Sequence, residues 1–562
     1  MLHDLMTPQG EALTGTPWNV HPRPQLRRER WLCLNGHWDF GVGSGDFDRK
    51  ILVPFCPESQ LSGIAQHFPE GIALNYRKKL TLPEDFRRGR VLMHIGAADQ
   101  RLNCSVNGRK FPQHIGGYTN ITYDITDALQ EGENELLLTC FDDLKDQSFP
   151  YGKQTLTRGG MWYTPTSGIW QSVWLEAVPE TYVKHLRIEN RGDTVIIDCG
   201  LDLPGTVTVK TLGTFPLEGG KVSIAPEHPH CWSPEDPYLY DFTLEVGEDR
   251  VESYFAIRSL EVKKIGKYQR LLLNGKPYFF HGLLDQGYWS DGLLTPASPE
   301  SYIYDIQTMK KLGFNMLRKH IKVEMVEFYY QCDRLGMIVF QDMVNNSDYR
   351  FFRDTALPTA RIQVIPDKWL HRNQEHRRMF LDTAENIVKQ LKNHPCICYW
   401  TIFNEGWGQF DADAVYSIFR SFDDTRFIDS TSGWFRRRKT DVDSRHVYFR
   451  KVKLKGGRKP LVLSEFGGKT HRVEGHVFNP DKVYGYGGCE TSQALEDALV
   501  AMYREEILPC IKNGLCAAVY TQVSDVEAEI NGLLTYDRKA EKVRPEKLLP
   551  LAAEMQAAVE ND

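Results

Sequence analysis

Hydrophobic and polar positions alternate with a period of two over the first part of the chain and then change texture. Between Trp18 and Glu176 the apolar residues come in short runs such as Val91-Leu92-Met93-His94-Ile95 and Leu102-Asn103-Cys104-Ser105-Val106, broken by turn signals such as Asn107-Gly108. Alternation of this kind gives each segment one face for a core and one for water, and Asn-Gly supplies the backbone angles of a tight hairpin. It predicts an all-β sandwich or jelly roll, assigned to residues 1–178. A second β stretch runs from Thr181 to Leu260, with Val195-Ile196-Ile197, Val207-Thr208-Val209 and Tyr240-Asp241-Phe242-Thr243-Leu244 as strands. Pro234, Asp236 and Pro237 mark a turn before its last hairpin. At roughly 80 residues it suits an immunoglobulin-like β-sandwich, assigned to 179–262.

After Leu271 the apolar runs alternate with amphipathic helical patterns, the arrangement of β-α units around a parallel sheet. Eight strands are predicted: Tyr278 to Leu284, Phe314 to Arg318, Met337 to Gln341, Ile397 to Phe403, Phe427 to Asp429, His446 to Tyr448, Leu461 to Ser464, and Ala517 to Gln522. Helical spacing from Pro299 to Leu312 stops at Gly313, and the next helix, Val323 to Leu335, stops at Gly336. Eight such units over 263–562 predict a TIM (β/α)8 barrel, whose chemistry sits at the C-terminal ends of the strands.

Composition narrows the partners. The 562 residues are 41% hydrophobic and 25% charged, with a net charge of −6, ordinary for a globular chain and without the basic excess that nucleic acid demands. The one basic run, Arg436-Arg437-Arg438-Lys439, is short enough to be a solvated loop. The 12 Cys are scattered without CxxC spacing, as reduced, packed thiols are, and Cys396 and Cys398 share one predicted strand. Met1 to Thr16 lacks the apolar core of a secretion signal, and no run approaches 18 apolar residues. The expectation is a cytoplasmic protein with no membrane span, compatible with a homo-oligomer.

At the predicted strand ends stand two carboxylates. Strand four runs into Asn404-Glu405-Gly406-Trp407 and strand seven into Glu465-Phe466-Gly467-Gly468. A single Glu at a strand end is uninformative, but two on one barrel rim, each near a glycine that lets the backbone turn sharply, form the pair that glycosidic cleavage requires. His residues are scattered without ligand spacing, so neither metal nor cofactor is expected.

The text around these residues resembles glycoside hydrolase family 2, the group of β-galactosidases and β-glucuronidases. Val53-Pro54-Phe55-Cys56-Pro57-Glu58-Ser59 and Ser167-Gly168-Ile169-Trp170-Gln171-Ser172-Val173-Trp174-Leu175-Glu176 are similar to the family's sugar-binding jelly roll. Trp232-Ser233-Pro234-Glu235-Asp236-Pro237-Tyr238-Leu239-Tyr240 is similar to its middle sandwich, and Leu273-Asn274-Gly275-Lys276-Pro277 to the hairpin that opens its barrel. The resemblance implies that Glu405 is the general acid/base and Glu465 the nucleophile of a retaining mechanism, with the charge of Glu465 raising the pKa of Glu405. It further implies that Asn404 bonds the sugar 2-hydroxyl, that Arg318 holds the nucleophile charged, and that Tyr448 hydrogen-bonds it. Asp285, ending strand one, either holds substrate hydroxyls or caps the following turn. Trp407 and Trp434 are candidate stacking walls for the sugar or packed side chains. His320 follows Arg318 by two residues where better-known members space the pair more widely. The rim after strand eight lacks the family's tryptophan, and Tyr520 is the candidate to replace it. The glucuronidase Asn-x-Lys occurs only as Asn274-Gly275-Lys276, read as a structural turn, which leaves Lys469 or Arg472 to meet an acidic sugar. These features imply a small carbohydrate or glycoside substrate. The expected activity is that of an exo-acting, retaining β-glycosidase, β-galactosidase-like, with a β-glucuronidase or β-galacturonidase as the alternative. A non-catalytic carbohydrate-binding protein on the same scaffold is the reading of another class, which has no physical need of an intact Glu405 and Glu465.

Overall fold

The computed structural model describes residues 4–44, 46–359, 362, 366–435 and 437–560; Met1, Leu2, His3 and Arg436 of the segments discussed above lie outside the described residues. In the first sandwich, strands Trp31–Cys33, Val173–Val178, Arg90–Ile95 and Ile121–Asp124 form one antiparallel sheet in that order. Strands Arg49–Val53, Gly36–Val42, Leu74–Thr81, Glu133–Phe141, Arg101–Val106 and Arg109–Lys110 form the other. The period-two pattern does what it predicts: along Glu133–Phe141 every second residue is buried, and Leu136, Leu138 and Cys140 pack with Trp38, Phe40, Met93 and Ile95. The second sandwich sets three strands (Arg187–Arg191, Thr194–Asp198, Lys221–Ile224) against four (Gly213–Pro216, Gly205–Val209, Tyr240–Val246, Asp249–Phe255), around Val195, Ile197, Val207, Phe242 and Leu244.

Strands Leu260–Ile265, Tyr268–Leu273 and Lys276–Pro277 make an antiparallel hairpin ahead of the barrel. Its turn is Asn274-Gly275, both at positive φ, and buried Arg270 donates to the carbonyls of Ile511 and Leu515 at 2.9 Å, tying the hairpin to the start of the last barrel strand.

The barrel strands are β1 (Phe280–Asp285), β2 (Met316–Lys319), β3 (Ile338–Asp342), β4 (Ile397–Asn404), β5 (Phe427–Ser432), β6 (Asp443–Val447), β7 (Leu461–Gly467) and β8 (Leu515–Thr521). The ladder runs β5-β4-β3-β2-β1-β8-β7-β6, every pair parallel. All eight predicted strands are present, each displaced by no more than a few residues. Between β5 and β6 no ladder is formed among the described residues; instead Asp441, just before β6, donates its N–H to the Ile428 carbonyl at 3.0 Å and closes that seam. Helices α1 (Pro299–Lys311), α2 (Val326–Leu335), α3 (Gln374–Leu391), α4 (Ala412–Phe422) and α5 (Ser492–Met502) occupy five crossovers, and α6 (Pro545–Glu560) follows β8. The expectation of eight regular β-α units is corrected here: the β5–β6 and β6–β7 connections carry no helix among the described residues, being too short for a crossover helix of a dozen or so residues plus its two turns.

A loop of the first sandwich, residues 148–166, lies over the C-terminal mouth of the barrel. Tyr151 donates its N–H to the Asn345 carbonyl at 3.0 Å and its hydroxyl to that of Ser347 at 2.8 Å. Tyr163 and Thr164 bond Glu529 and Glu527 beyond β8 at 2.5 and 2.6 Å. All 12 cysteines are free, Cys396 and Cys398 being buried at the start of β4. No helix of the described residues is long and apolar enough to cross a membrane.

Candidate active site

Glu405 follows β4 in a left-handed backbone conformation (φ +51°) and donates its N–H to the Ser432 carbonyl of β5 at 3.1 Å. Gly406 continues the turn at φ +81°, and a Cβ there would stand 2.4 Å from the Phe435 ring, so only glycine lets the chain pass. Glu465 lies inside β7 at an irregularity. The ladder to β8 jumps from Leu463 to Phe466, while on the other side Glu465 pairs with His446 of β6 just after a second shift at Arg445. Such bulges re-aim side chains.

The two carboxylates meet at His446. All three side chains are buried, and an oxygen of each Glu and a ring nitrogen of His446 lie within 4.8 Å of one another. Nδ1 of His446 is 2.7 Å from Glu405 Oε1 and 3.5 Å from Glu465 Oε2, and Arg318 Nη1 is 3.5 Å from its Nε2. Nε2 faces the positive guanidinium, whose Nη1 hydrogens go to Glu465 and Ser464, while Nδ1 faces a carboxyl oxygen of each Glu, so the proton of the neutral ring is assigned to Nδ1. Burial lowers the imidazole pKa to about 4, which keeps the ring neutral around pH 7. These three side chains also offer the ligand atoms for a cation. However, the tautomer places a proton on Nδ1, and Arg318 already supplies positive charge at Glu465, so the set fits a hydrogen-bonded acid pair better than a metal site.

Arg318, near the end of β2, spends all its donors. It gives two bonds to Asp342 of β3 at 3.0 Å, and bonds to Glu465 Oε1 and the Ser464 carbonyl at 3.0 Å. The remaining ones reach Asn404 Oδ1 at 2.9 Å and Ser432 Oγ at 3.0 Å. Asn404 Oδ1 also accepts from Ser432 Oγ at 2.8 Å, leaving the carboxamide NH2 as the group with hydrogen bonds to give. The Tyr448 hydroxyl, just past β6, donates to Glu465 Oε2 at 2.8 Å and is itself 2.8 Å from Thr521 Oγ1 of β8.

Burial pushes the Glu405 carboxyl up to about 7, opposed by the charges of Lys153 and Arg318. Burial also lifts Glu465 above the usual carboxylate range; His446 opposes, Glu405 adds to the rise, and Arg318 and Lys153 oppose. Desolvation is the first cause of the rise at Glu405; the repulsion between the two carboxylates is mutual and adds to the pKa of whichever ionises second. With a guanidinium and a phenol directed at Glu465 and only an imidazole at Glu405, Glu465 is the one to ionise and Glu405 the one to keep its proton.

Other sequence-selected residues are placed differently. His320 bonds Asp342 Oδ2 at 2.9 Å and stands 4.0 Å from Glu465, close behind the pair. Asp285 gives one oxygen to the Gly287 N–H and the other to Lys319 at 2.6 Å, the turn cap among its two readings. Trp407 is buried, stacked on Trp162 of the sandwich loop with centroids 5.1 Å apart. Half-buried Trp434 meets His446 edge-on at 5.6 Å. Tyr520 faces away from the pair: it is fully buried against Phe466, its hydroxyl accepting the Lys469 N–H at 3.0 Å. With alternation along β8, Thr521 is the residue presented to Tyr448. Several residues of the site were not anticipated. Asp342 stands one position past predicted strand three, where the strand-end rule reaches it, whereas His446 opens predicted strand six and is brought to the rim because the strand begins earlier, at Asp443. Lys153, in the sandwich loop, carried no such signal.

Residues 262–544 match the TIM barrel domain of glycosyl hydrolases family 2, and residues 187–258 match a second domain of the same family. A β-galactosidase of Streptococcus thermophilus is 25% identical over 410 residues, 66% of this chain and 37% of that one. A putative β-glucuronidase of Formosa agariphila is 24% identical over 356 residues, 59% and 39% of the two chains. This chain thus spans well under half the length of these relatives. Among solved structures, Bifidobacterium dentium β-glucuronidase complexed with coumarin-3-O-glucuronide superposes with a TM-score of 0.73 at 17% identity, covering 94% of this chain and 98% of that one. A family 2 β-galacturonidase from Eisenbergiella tayi bound to galacturonate gives 0.67 at 17% identity, covering 96% and 99%. At such identities the likeness is one of fold. The barrel-domain match, however, runs from before β1 to beyond β8 and takes in every barrel strand end described above, and by it the chain belongs to glycosyl hydrolase family 2.

Proposed function

We propose that the protein is an exo-acting, retaining β-glycosidase that removes terminal sugars by double displacement. One observation carries this: two buried carboxylates share His446, and only Glu465 has a guanidinium and a phenol holding its charge. In the first step a Glu465 oxygen bonds the anomeric carbon as the bond to the aglycone oxygen breaks, and Glu405 delivers its proton to that oxygen. Because Glu405 Oε1 accepts from His446, the proton rides on Oε2. In the second step water gives a proton to the Glu405 carboxylate and displaces Glu465, restoring both groups. The close approach of the pair supports the close-set carboxylates of retention over the wide-set ones of inversion. Asn404, its oxygen pinned by Arg318, has its NH2 to donate to the sugar 2-hydroxyl. In this reading residues 1–178 and 179–262 are the two sandwiches and 263–562 the catalytic barrel, the first sandwich completing the site through its loop.

The sugar has two readings. The sequence pattern and the names of curated relatives favour a β-galactoside, while Lys153, buried without an acid in ion-pair contact among the described residues, favours an acidic sugar. Hydrolysis of p-nitrophenyl β-galactoside, glucuronide, galacturonide, glucoside and α-L-arabinofuranoside by wild type and Glu465→Gln tests the reading. Cleavage of at least one β-glycoside, reduced by about 10³ or more in the variant, is expected. Unchanged cleavage in Glu465→Gln would sink the mechanism, and no cleavage of any member would favour the binding protein.

A further inference from the structure

Four lysines are buried among the described residues: Lys153, Lys319, Lys322 and Lys542. Three have a carboxylate in contact, Lys319 with Asp285 and Glu324 at 2.6 and 2.8 Å, Lys322 with Glu324 at 2.9 Å, and Lys542 with Asp525 at 2.6 Å. Lys153 is the exception. It is 6% exposed, and among the described residues no acid comes within the 4.0 Å of an ion pair. Its Nζ lies 5.6 Å from the ring centre of Tyr163 and 5.9 Å from that of Trp407. Trp407 stands two residues after Glu405, so the ammonium lies on the barrel side of the sandwich loop, near the candidate acid, and its charge opposes the rise at both Glu405 and Glu465.

Taking an ammonium out of water is costly unless an anion compensates it. Aromatic walls recover part of the loss, and a neutral hydroxyl recovers little more, whereas a carboxylate provides a charge-assisted bond. The two cations expected from sequence to meet an acidic sugar are not the ones in this position. Arg472 is committed to the Pro480 carbonyl at 3.1 Å and Glu474 at 3.3 Å on the surface, and half-buried Lys469 lays its ammonium against Gly487, where a Cβ would stand 3.2 Å from Nζ. We infer that Lys153 receives the carboxylate of an acidic terminal sugar, so that the preferred substrates are β-linked hexuronides and the first sandwich, not the barrel, selects them. This rests on the β-glycosidase reading above.

The test is kcat/KM for p-nitrophenyl β-D-glucuronide, β-D-galacturonide and β-D-galactoside with wild type, Lys153→Met and Lys153→Arg, each checked for folding by thermal melting. Wild type should prefer one uronide over the galactoside by at least about tenfold. Lys153→Met should lower that ratio by about 30-fold or more, chiefly through KM, and Lys153→Arg should keep most of it. A wild type that prefers the galactoside to both uronides overturns the inference. So does a Lys153→Met that depresses both substrates alike while shifting the pH profile, because Lys153 would then act only on the charges of Glu405 and Glu465. If no glycoside is cleaved, the β-glycosidase reading fails by itself. Calorimetric titration with glucuronate, galacturonate and galactose then decides the inference: uronate binding lost in Lys153→Met upholds it, and no uronate binding overturns it.

Discussion

His446 hydrogen-bonds Glu405 through Nδ1 at 2.7 Å, with the ring neutral and its proton on the shared nitrogen. That bond favours the Glu405 carboxylate over its acid form and leaves Oε2 as the oxygen free to carry a proton. Removing it in His446→Ala is expected to lower kcat by about 10² with little change in KM. The basic limb of the pH profile, set by Glu405 near 7, should move to higher pH, because the acid form loses a competitor. A limb that stays in place, or moves down, would show that His446 only packs.

Arg318 acts on the other limb. Its contact with Glu465 at 3.0 Å favours the charged carboxylate, which burial opposes. In Arg318→Lys the ammonium cannot span Asp342, Asn404, Ser432 and Glu465 together, and kcat should fall by about 10³. The Glu465 pKa should rise, so the acidic limb moves to higher pH and the profile narrows from that side. Arg318→Ala should in addition lose several kcal/mol of stability, because buried Asp342 loses the guanidinium and keeps only His320 (about 3–5 kcal/mol for a broken buried pair). A narrowing from the alkaline side instead would contradict the assignment of Glu465 as the ionised member.

Tyr448, Thr521 and Tyr520 separate contact from proximity. The Tyr448 hydroxyl donates to Glu465 at 2.8 Å and lies 2.8 Å from Thr521, while the Tyr520 hydroxyl serves the Lys469 backbone. The expected order of damage to kcat is Tyr448→Phe, about 10²-fold, then Thr521→Val, about tenfold, with Tyr520→Phe within about threefold of wild type. Steady-state rates on an activated aryl glycoside measure it. A Tyr520→Phe as impaired as Tyr448→Phe would return Tyr520 to the sugar-facing wall.

Strand positions were legible because alternation and buried apolar runs are local signals, and every barrel strand fell where its run predicted. The two rim carboxylates were legible because a strand-end rule needs only strand positions. Tyr520 was misplaced for a related reason: the run Ala517 to Gln522 locates a strand without saying which neighbour faces inward, and a one-residue error inverts the answer. Asp285 and Asp342 show the same limit, since both end strands and only packing decides that one caps a turn while the other grips Arg318. Lys153 lies 252 positions before Glu405 in a different domain, and no spacing rule connects residues that meet only through the docking of a loop on the barrel.

Glu58 offers a prediction about stability apart from the site. It sits in the first sandwich with its side chain 2% exposed, and its oxygens accept the Ser167 hydroxyl at 2.6 Å and N–H at 3.1 Å. Burial raises its pKa from 4.5 to about 7 despite those bonds. A carboxyl raised on folding contributes stability that is complete below the unfolded value and lost as pH climbs through the folded one. Between about pH 4.5 and beyond 7 the wild type should therefore lose up to about 3 kcal/mol through this group, at about 1.4 kcal/mol per unit. Glu58→Gln keeps the shape, can donate to the Ser167 oxygen and accept its N–H, and does not titrate. Denaturant unfolding should then find the variant close to wild type at pH 5 and more stable by up to about 3 kcal/mol at pH 8. Equal differences at the two pH values would mean that Glu58 keeps its charge in the sandwich, where the candidate counter-charge is the His67 ring, its Nδ1 3.9 Å from Oε1.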